Sequence, residues 1–279
     1  MIQIGKYNEM EVVKTVDFGI YMDGGEGLEI LMPTRYVPEG TQVGDKINCF
    51  VYLDSEDRLL ATTETPYAQV GEFALLRVNQ TNQVGAFLDW GVSKELLVPF
   101  REQRVDLERD RSYLIHIYVD EVSDRIVGSA KLHKFIDNTP IDYKTNEEVD
   151  LIVMKKTDIG YKVIINNVHT GLIYNNQIFR PIAVGDKLKG YVKEIRPDQK
   201  IDLMLQPIGY KKVVGSLEMY ILDQLEENDG FLPYNDKTDP DTLMLEFQCS
   251  KKNFKKALGS LYKQQKIVIL ENGIKLTGH

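Results

Sequence analysis

Hydrophobic and polar residues alternate along short stretches of this chain, and those stretches recur in one order three times. Cys49, Val51 and Leu53 interleave with Phe50 and Tyr52, and Ile115, Ile117 and Val119 interleave with His116 and Tyr118. A period of two predicts a half-buried strand. Each repeat has a strand, a glycine turn, a second strand, a short apolar run, a loop and turn, the long alternating strand, a polar turn and a closing strand. The first glycine is Gly19, Gly85 and Gly160. Fourteen residues later the apolar run ends, as Leu31-Met32-Pro33, Leu97-Val98-Pro99 and Leu172-Ile173-Tyr174. The second turn is read at Gly44-Asp45, Arg109-Asp110 and Gly185-Asp186, which lie 25, 24 and 25 residues after that glycine. Polar turns at Asp54-Ser55-Glu56-Asp57, Ser123-Asp124 and Arg196-Pro197-Asp198-Gln199 use turn-forming residue types. Closing strands follow at Leu59–Thr63, Ile126–Ala130 and Ile201–Leu205. Five short strands per repeat predict a small closed barrel, because closure removes exposed edges.

Beyond the third repeat the period becomes helical. Leu217, Tyr220, Ile221 and Leu225 share one face of a helix over 216–228, with Ser216 as its cap and Gly230 as its stop. Pro240–Phe247 forms a second short helix. Ser250 caps a third, whose apolar stripe is Phe254, Ala257, Leu258, Leu261 and Tyr262. Strands at Ile267–Leu270 and Ile274–Thr277 are joined by Glu271-Asn272-Gly273, where Asn-Gly is a favoured hairpin turn. Three helices and a terminal hairpin predict a winged helix. The fold class is therefore mainly β: three tandem five-stranded barrels at 1–66, 67–140 and 141–209, then an α+β winged-helix domain at 210–279.

Composition narrows the function. The chain is 43% hydrophobic, as folded domains are, and no run approaches the ~20 apolar residues of a membrane helix. The N-terminus lacks the basic and apolar regions of a secretory signal, and Cys49 and Cys249 stand too far apart for a metal knuckle. A cytoplasmic protein with no membrane partner is expected. The net charge of −8 argues against a polyanion partner, but it is unevenly placed. Residues 1–68 carry five basic against twelve acidic groups, 69–142 nine against twelve, 143–210 ten against eight, and 211–279 ten against ten. In the third helix Lys251, Lys252, Lys255 and Lys256 share the face opposite the apolar stripe, and Lys263 and Lys266 follow. No acidic residue occurs in 250–266. A solvated face usually mixes both signs, so this one points to phosphate.

The second repeat, with Val70-Gly71-Glu72, Val84-Gly85-Ala86-Phe87-Leu88, Leu96-Leu97-Val98-Pro99, Asp120 and Arg125, resembles the S1 RNA-binding domain, an OB-fold barrel, most clearly of the three. The whole chain resembles the bacterial conserved virulence factor B family. That resemblance implies three S1 domains and a winged helix that bind RNA. The S1 face stacks bases on an aromatic before the first glycine and another two residues after it, and uses a histidine ending the apolar run and an acid–base pair at the last turn. Carried over, these positions hold Phe18, Tyr21, Pro33, Asp54 and Arg58 in the first copy. The second has Val84, Phe87, Pro99, Asp120 and Arg125, with Trp90 nearby to stack or to pack. The third has Ile159, Lys162, Tyr174, Asp198 and Lys200, with Lys193 and Arg196 adding charge. The expected RNA contacts are Phe87, Arg125, Lys162, Tyr174, Lys193, Arg196, Lys200, Lys251, Lys252, Lys255 and Lys256. The first barrel, being acidic, is expected to serve structure or a protein partner, and the third barrel with the lysine helix to carry RNA.

Catalysis is not expected. Glu147-Glu148 and Glu226-Glu227 sit in a linker and on a helix surface, and His116, His133, His169 and His279 lack metal-ligand spacing. There is no phosphate-cradling glycine loop and no nucleophile elbow. No catalytic residue, metal or cofactor is expected. The expected partner is single-stranded RNA, in RNA metabolism or post-transcriptional regulation; DNA, ribosomal or RNA-processing proteins are further options. The alternative is a transcription regulator that binds duplex DNA with the winged helix and proteins with the barrels.

Overall fold

The structure is a computed structural model that describes residues 2–178, 181–205, 213–247 and 249–277, excepting the side chains of 176 and 213–216. Its first fifteen strands close into three barrels. The first comprises β1 (Lys6–Val16), β2 (Gly19–Asp23), β3 (Glu29–Pro33), β4 (Lys46–Leu53) and β5 (Leu59–Thr62). The second comprises β6 (Phe73–Thr81), β7 (Gly85–Asp89), β8 (Leu96–Pro99), β9 (Ser112–Val119) and β10 (Ile126–Ser129). The third comprises β11 (Glu148–Thr157), β12 (Gly160–Ile165), β13 (His169–Tyr174), β14 (Lys187–Ile195) and β15 (Ile201–Met204). All three follow one topology: the first three strands run in sequence, the fifth pairs parallel with the third, and the fourth closes the barrel on the first. This is the five-stranded OB arrangement. A one-turn 3-10 helix follows the third strand of each, at Thr34–Tyr36, Phe100–Glu102 and Asn175–Gln177.

The repeated glycines have one cause. A Cβ on Gly19, Gly85 or Gly160 would meet the carbonyl oxygen of Met32, Val98 or Ile173 at 2.2, 2.3 or 2.0 Å. Only glycine lets the second strand lie that close to the third. The second turn is also common to all copies, and here the structure corrects the sequence reading. The left-handed positions are Gly44, Asp110 and Gly185, whose amides donate to Val12, Val78 and Val153. Each lies 25 residues after its glycine, so Asp110 and not Arg109 takes the glycine's place, and Arg111 corresponds to Asp45 and Asp186. Aspartate tolerates this conformation better than most residues.

The alternating strands are buried on both faces, not one. In β4, Cys49 and Val51 point into the first barrel's core, while Phe50 and Tyr52 belong to the second barrel's cluster with Trp90. Trp90 is 2% exposed and sits edge-on to Phe50 at 5.6 Å, so it packs and does not stack on a ligand. In β9, Ile115 and Ile117 fill the core, and His116 is covered by Phe135 at 4.1 Å. The first two barrels lie in one compact unit. A backbone bond from the Val70 amide to the Gly5 carbonyl and a bond from the Tyr7 amide to Gln69 Oε1 tie them further.

The C-terminal domain is a winged helix. It has α1 (Val213–Glu227), β16 (Phe231–Leu232), α2 (Pro240–Phe247), α3 (Lys251–Lys263), β17 (Ile267–Leu270) and β18 (Gly273–Leu276). Helix α1 starts ahead of Ser216, so that residue is inside the helix and not its cap; its side chain lies outside the described residues, as do His279 and most of the 206–215 joint. Gly230 does stop α1: its amide reaches back to Leu225, with Asp229 left-handed before it. Ser250 caps α3 through Asn253. Strand β16, too short to carry a period, adds a third strand beside β18. The hairpin turn is Glu271-Asn272, and Gly273 lies within β18 opposite Leu270. That glycine serves packing, since a Cβ there would meet the Leu232 carbonyl at 2.1 Å. Cys49 and Cys249 are buried free thiols, pushed up to about 11 by desolvation.

Candidate nucleic-acid interface

The position just before the first glycine is solvent-facing in every barrel. Phe18, Val84 and Ile159 are 59%, 54% and 57% exposed, although all three are large and apolar. Their carbonyls accept from Thr34, Phe100 and Asn175, so the 3-10 helix holds each at the same place. In the first barrel Phe18 meets Tyr21 edge-on at 6.5 Å, and the Lys14 ammonium lies 5.4 Å from the Tyr21 ring. That constellation suits base stacking better than its acidic surroundings suggest.

In the second barrel Phe87 is half-buried on β7. Arg125 is not paired with Asp120. Its guanidinium grips both carboxylate oxygens of Asp57 in the first barrel, with Nε to Oδ1 at 2.8 Å. Asp57 is held below its usual range mainly by that bond. Asp120 accepts from Ser123 Oγ and Arg101 instead, at 2.8 and 2.7 Å, which together keep it ionised below the usual range. Arg101 belongs to a basic shoulder that the sequence reading did not single out. Lys131 donates to the Arg101 carbonyl, and Lys134 to Glu102 at 2.8 Å. Glu102 is 6% exposed and also accepts from Ser129 at 2.6 Å. Burial alone would raise its pKa, but the bonds from Lys134 and Ser129 outweigh this and hold it low. The repeat register carried the signal: Arg35 and Arg101 occupy the same place, sixteen residues after Gly19 and Gly85.

The third barrel differs at its last turn. The strand-ending position, Asp54 in the first barrel and Asp120 in the second, is Arg196, as the matching amide-to-carbonyl bonds show. Asp198 is therefore not the counterpart of Asp54 and Asp120. Arg196 folds back to within 3.2 Å of Asp202, which is 3% exposed and also meets the Tyr174 hydroxyl at 3.4 Å. Lys200 bonds Asp198 at 2.8 Å, which keeps that carboxyl low. Lys193 sits at a bulge in β14, half-exposed and 4.0 Å from Glu194. Lys162 is half-buried on β12, with no ion pair among the described residues.

On α3 four of the five residues of the expected apolar stripe are engaged: Phe254, Ala257, Leu258 and Leu261 are at most 1% exposed, whereas Tyr262, at the edge of that face, is 57% exposed. The opposite face is open. Lys252 and Lys256 are exposed without an ion pair among the described residues, and Lys255 reaches Asp236 only at 3.4 Å. Lys251 donates to the Lys237 carbonyl at 3.1 Å. No described group of acidic, histidine or cysteine residues could hold a metal, and no described helix is long and apolar enough to cross a membrane.

Comparison with known proteins bears on both ends of the chain. The S1 domain family matches residues 4–64, the first barrel, although the second reads as the clearer copy by its motifs. The CvfB-like winged helix domain family matches residues 219–276. An uncharacterized protein, YitL, of Bacillus subtilis is 26% identical over 96% of this chain and 92% of its own length. Conserved virulence factor B of Staphylococcus epidermidis is 25% identical over 97% and 93%, and that of Staphylococcus aureus 24% over 97% and 92%. A Streptococcus pneumoniae structure, described as a multidomain protein with nucleic acid binding domains, aligns over 98% of both chains at 25% identity with a TM-score of 0.41.

Proposed function

We propose that this chain, which resembles conserved virulence factor B over nearly its whole length, is a non-catalytic cytoplasmic protein that binds single-stranded RNA and acts in RNA metabolism or post-transcriptional regulation. The S1 and winged-helix domains support nucleic-acid binding in general. The observation that carries the RNA reading is the exposed lysine face of α3, on which Lys252 and Lys256 have no ion pair among the described residues, set in a chain that also carries three OB barrels with exposed stacking positions. A winged helix alone would suit duplex DNA as well. Three barrels of a type that takes single strands tip the balance toward RNA. In this reading Lys162, Lys193 and Lys200 follow phosphates, Tyr174 and Phe87 meet bases, and Arg196 is partly held back by Asp202. Arg125 contributes only when it leaves Asp57. Filter binding at moderate salt tests the proposal. Single-stranded RNA should bind in the micromolar range or tighter, and duplex DNA more weakly. Tighter binding of duplex DNA would favour a transcription regulator instead.

A further inference from the structure

We propose that the joint between the first and second barrels is a base-binding pocket that selects amino-bearing bases of single-stranded RNA over uracil, an inference that rests on the RNA-binding reading above. The joint holds a shallow cleft of about 590 Å³ that is open to solvent, wide enough for a base laid against its wall. Its walls come from both barrels, so neither has the site alone. Its apolar surface includes Phe87, at the stacking position of the second barrel, and Tyr52 from the first.

The walls are fixed in place. The loop after β7 reaches the first barrel with Trp90 against Phe50, Ser93 Oγ bonded to the Tyr36 hydroxyl at 2.8 Å, and Lys94 Nζ donating to the Asp54 carbonyl at 2.6 Å. The Arg125–Asp57 pair adds a further tie across the joint. A site so held loses little ordering entropy when a ligand enters.

Charge decides what enters. Asp54, Asp89 and Glu95 line the cleft against Arg35 and Lys94, and the Lys94 ammonium is spent on a backbone carbonyl. A phosphate is disfavoured in such a rim, whereas a base edge with N–H donors is matched. Asp54 is saturated by Arg58 and the Glu56 amide. Glu95 accepts one bond at each oxygen, from Asn79 and Gln80, and Asp89 accepts one at each, from the Gly91 amide and, at 3.5 Å, the Tyr67 hydroxyl, which leaves a lone pair on every one of these oxygens for a ligand. Arg35 lies over the Tyr36 ring at 4.5 Å with no described carboxylate in ion-pair range, and can donate to a base carbonyl. Adenine and cytosine bring an exocyclic amino group, and guanine an amino and an imino N–H side by side. Uracil brings one N–H between two carbonyls, which the carboxylates repel.

The experiment compares short labelled oligo(A), oligo(C) and oligo(U) ribonucleotides binding to the full chain. Trp90, the one tryptophan, reports locally through its fluorescence. Oligo(A) and oligo(C) should bind at least about fivefold more tightly than oligo(U), the low end of base-edge discrimination, and perturb Trp90. Glu95→Gln with Asp89→Asn should erase the preference, weakening oligo(A) and oligo(C) and strengthening oligo(U), whose carbonyls the amides no longer repel. Phe87→Ala should weaken oligo(A) and oligo(C) most. Equal binding of all three with a silent Trp90 would overturn the pocket and leave RNA binding standing. Binding of none would overturn both.

Discussion

At the residue scale, the most repeated constraint is the missing side chain at Gly19, Gly85 and Gly160. Gly85→Ala should destabilise the chain by roughly 1–3 kcal/mol, the usual range for forced overpacking, because the Val98 backbone cannot yield without breaking the barrel. Gly259 is the control. It lies inside α3 with no atom within 4 Å of an added Cβ, so Gly259→Ala should stabilise the winged helix by about 1 kcal/mol. Urea unfolding of both variants checks the pair. Opposite signs are expected, and stabilisation by both would show that glycine acts here through the unfolded chain alone. His116 makes a second prediction. Burial lowers it from 6.5 to about 4, against a weaker opposing bond to the Glu72 carbonyl. The folded state therefore keeps it neutral where the unfolded chain would take up a proton. Stability is lost as pH falls from 6.5 toward 4, by about 3 kcal/mol in full. His116→Phe should flatten the unfolding midpoint across that window. Glu102 and Asp120, held low, contribute their own loss only at lower pH.

At the scale of elements, most strands and helices are legible because each has a period and a terminator. What escaped are features decided by a neighbour. Strand β4 reads as half-buried, yet Phe50 and Tyr52 are 0% and 3% exposed because the second barrel covers them. Strand β16 has two residues and no pattern of its own; it forms because β18 offers an edge. Gly273 reads as a turn residue and is instead a packing residue. The site is legible to a similar depth. The lysines of α3 stand out by their charge pattern, whereas the pairing of Arg125 with Asp57 joins residues from different barrels and has no local signal. The same coupling predicts that Trp90→Ala, costing roughly 3–5 kcal/mol, separates the unfolding of the first two barrels into distinct transitions in calorimetry. A single unchanged transition would mean that the shared cluster does not couple them.

For the whole molecule, the net charge of −8 and an RNA partner are compatible because the charges are segregated and many cations are already engaged. Arg58, Arg77, Arg101 and Arg125 each meet a carboxylate within 2.8 Å, and such exposed pairs dampen long-range attraction. Lys252 and Lys256 of α3 are the clearest exceptions among the described residues. Phosphate contact by the α3 lysine face is therefore best tested by the salt dependence of single-stranded RNA binding, measured for the chain and for the variant with Lys251, Lys252, Lys255 and Lys256 all changed to Ala. Binding should weaken, and the slope of log affinity against log salt should flatten by roughly 0.7 for each phosphate contact removed. An unchanged slope and affinity would mean that this face is merely solvated and touches no phosphate.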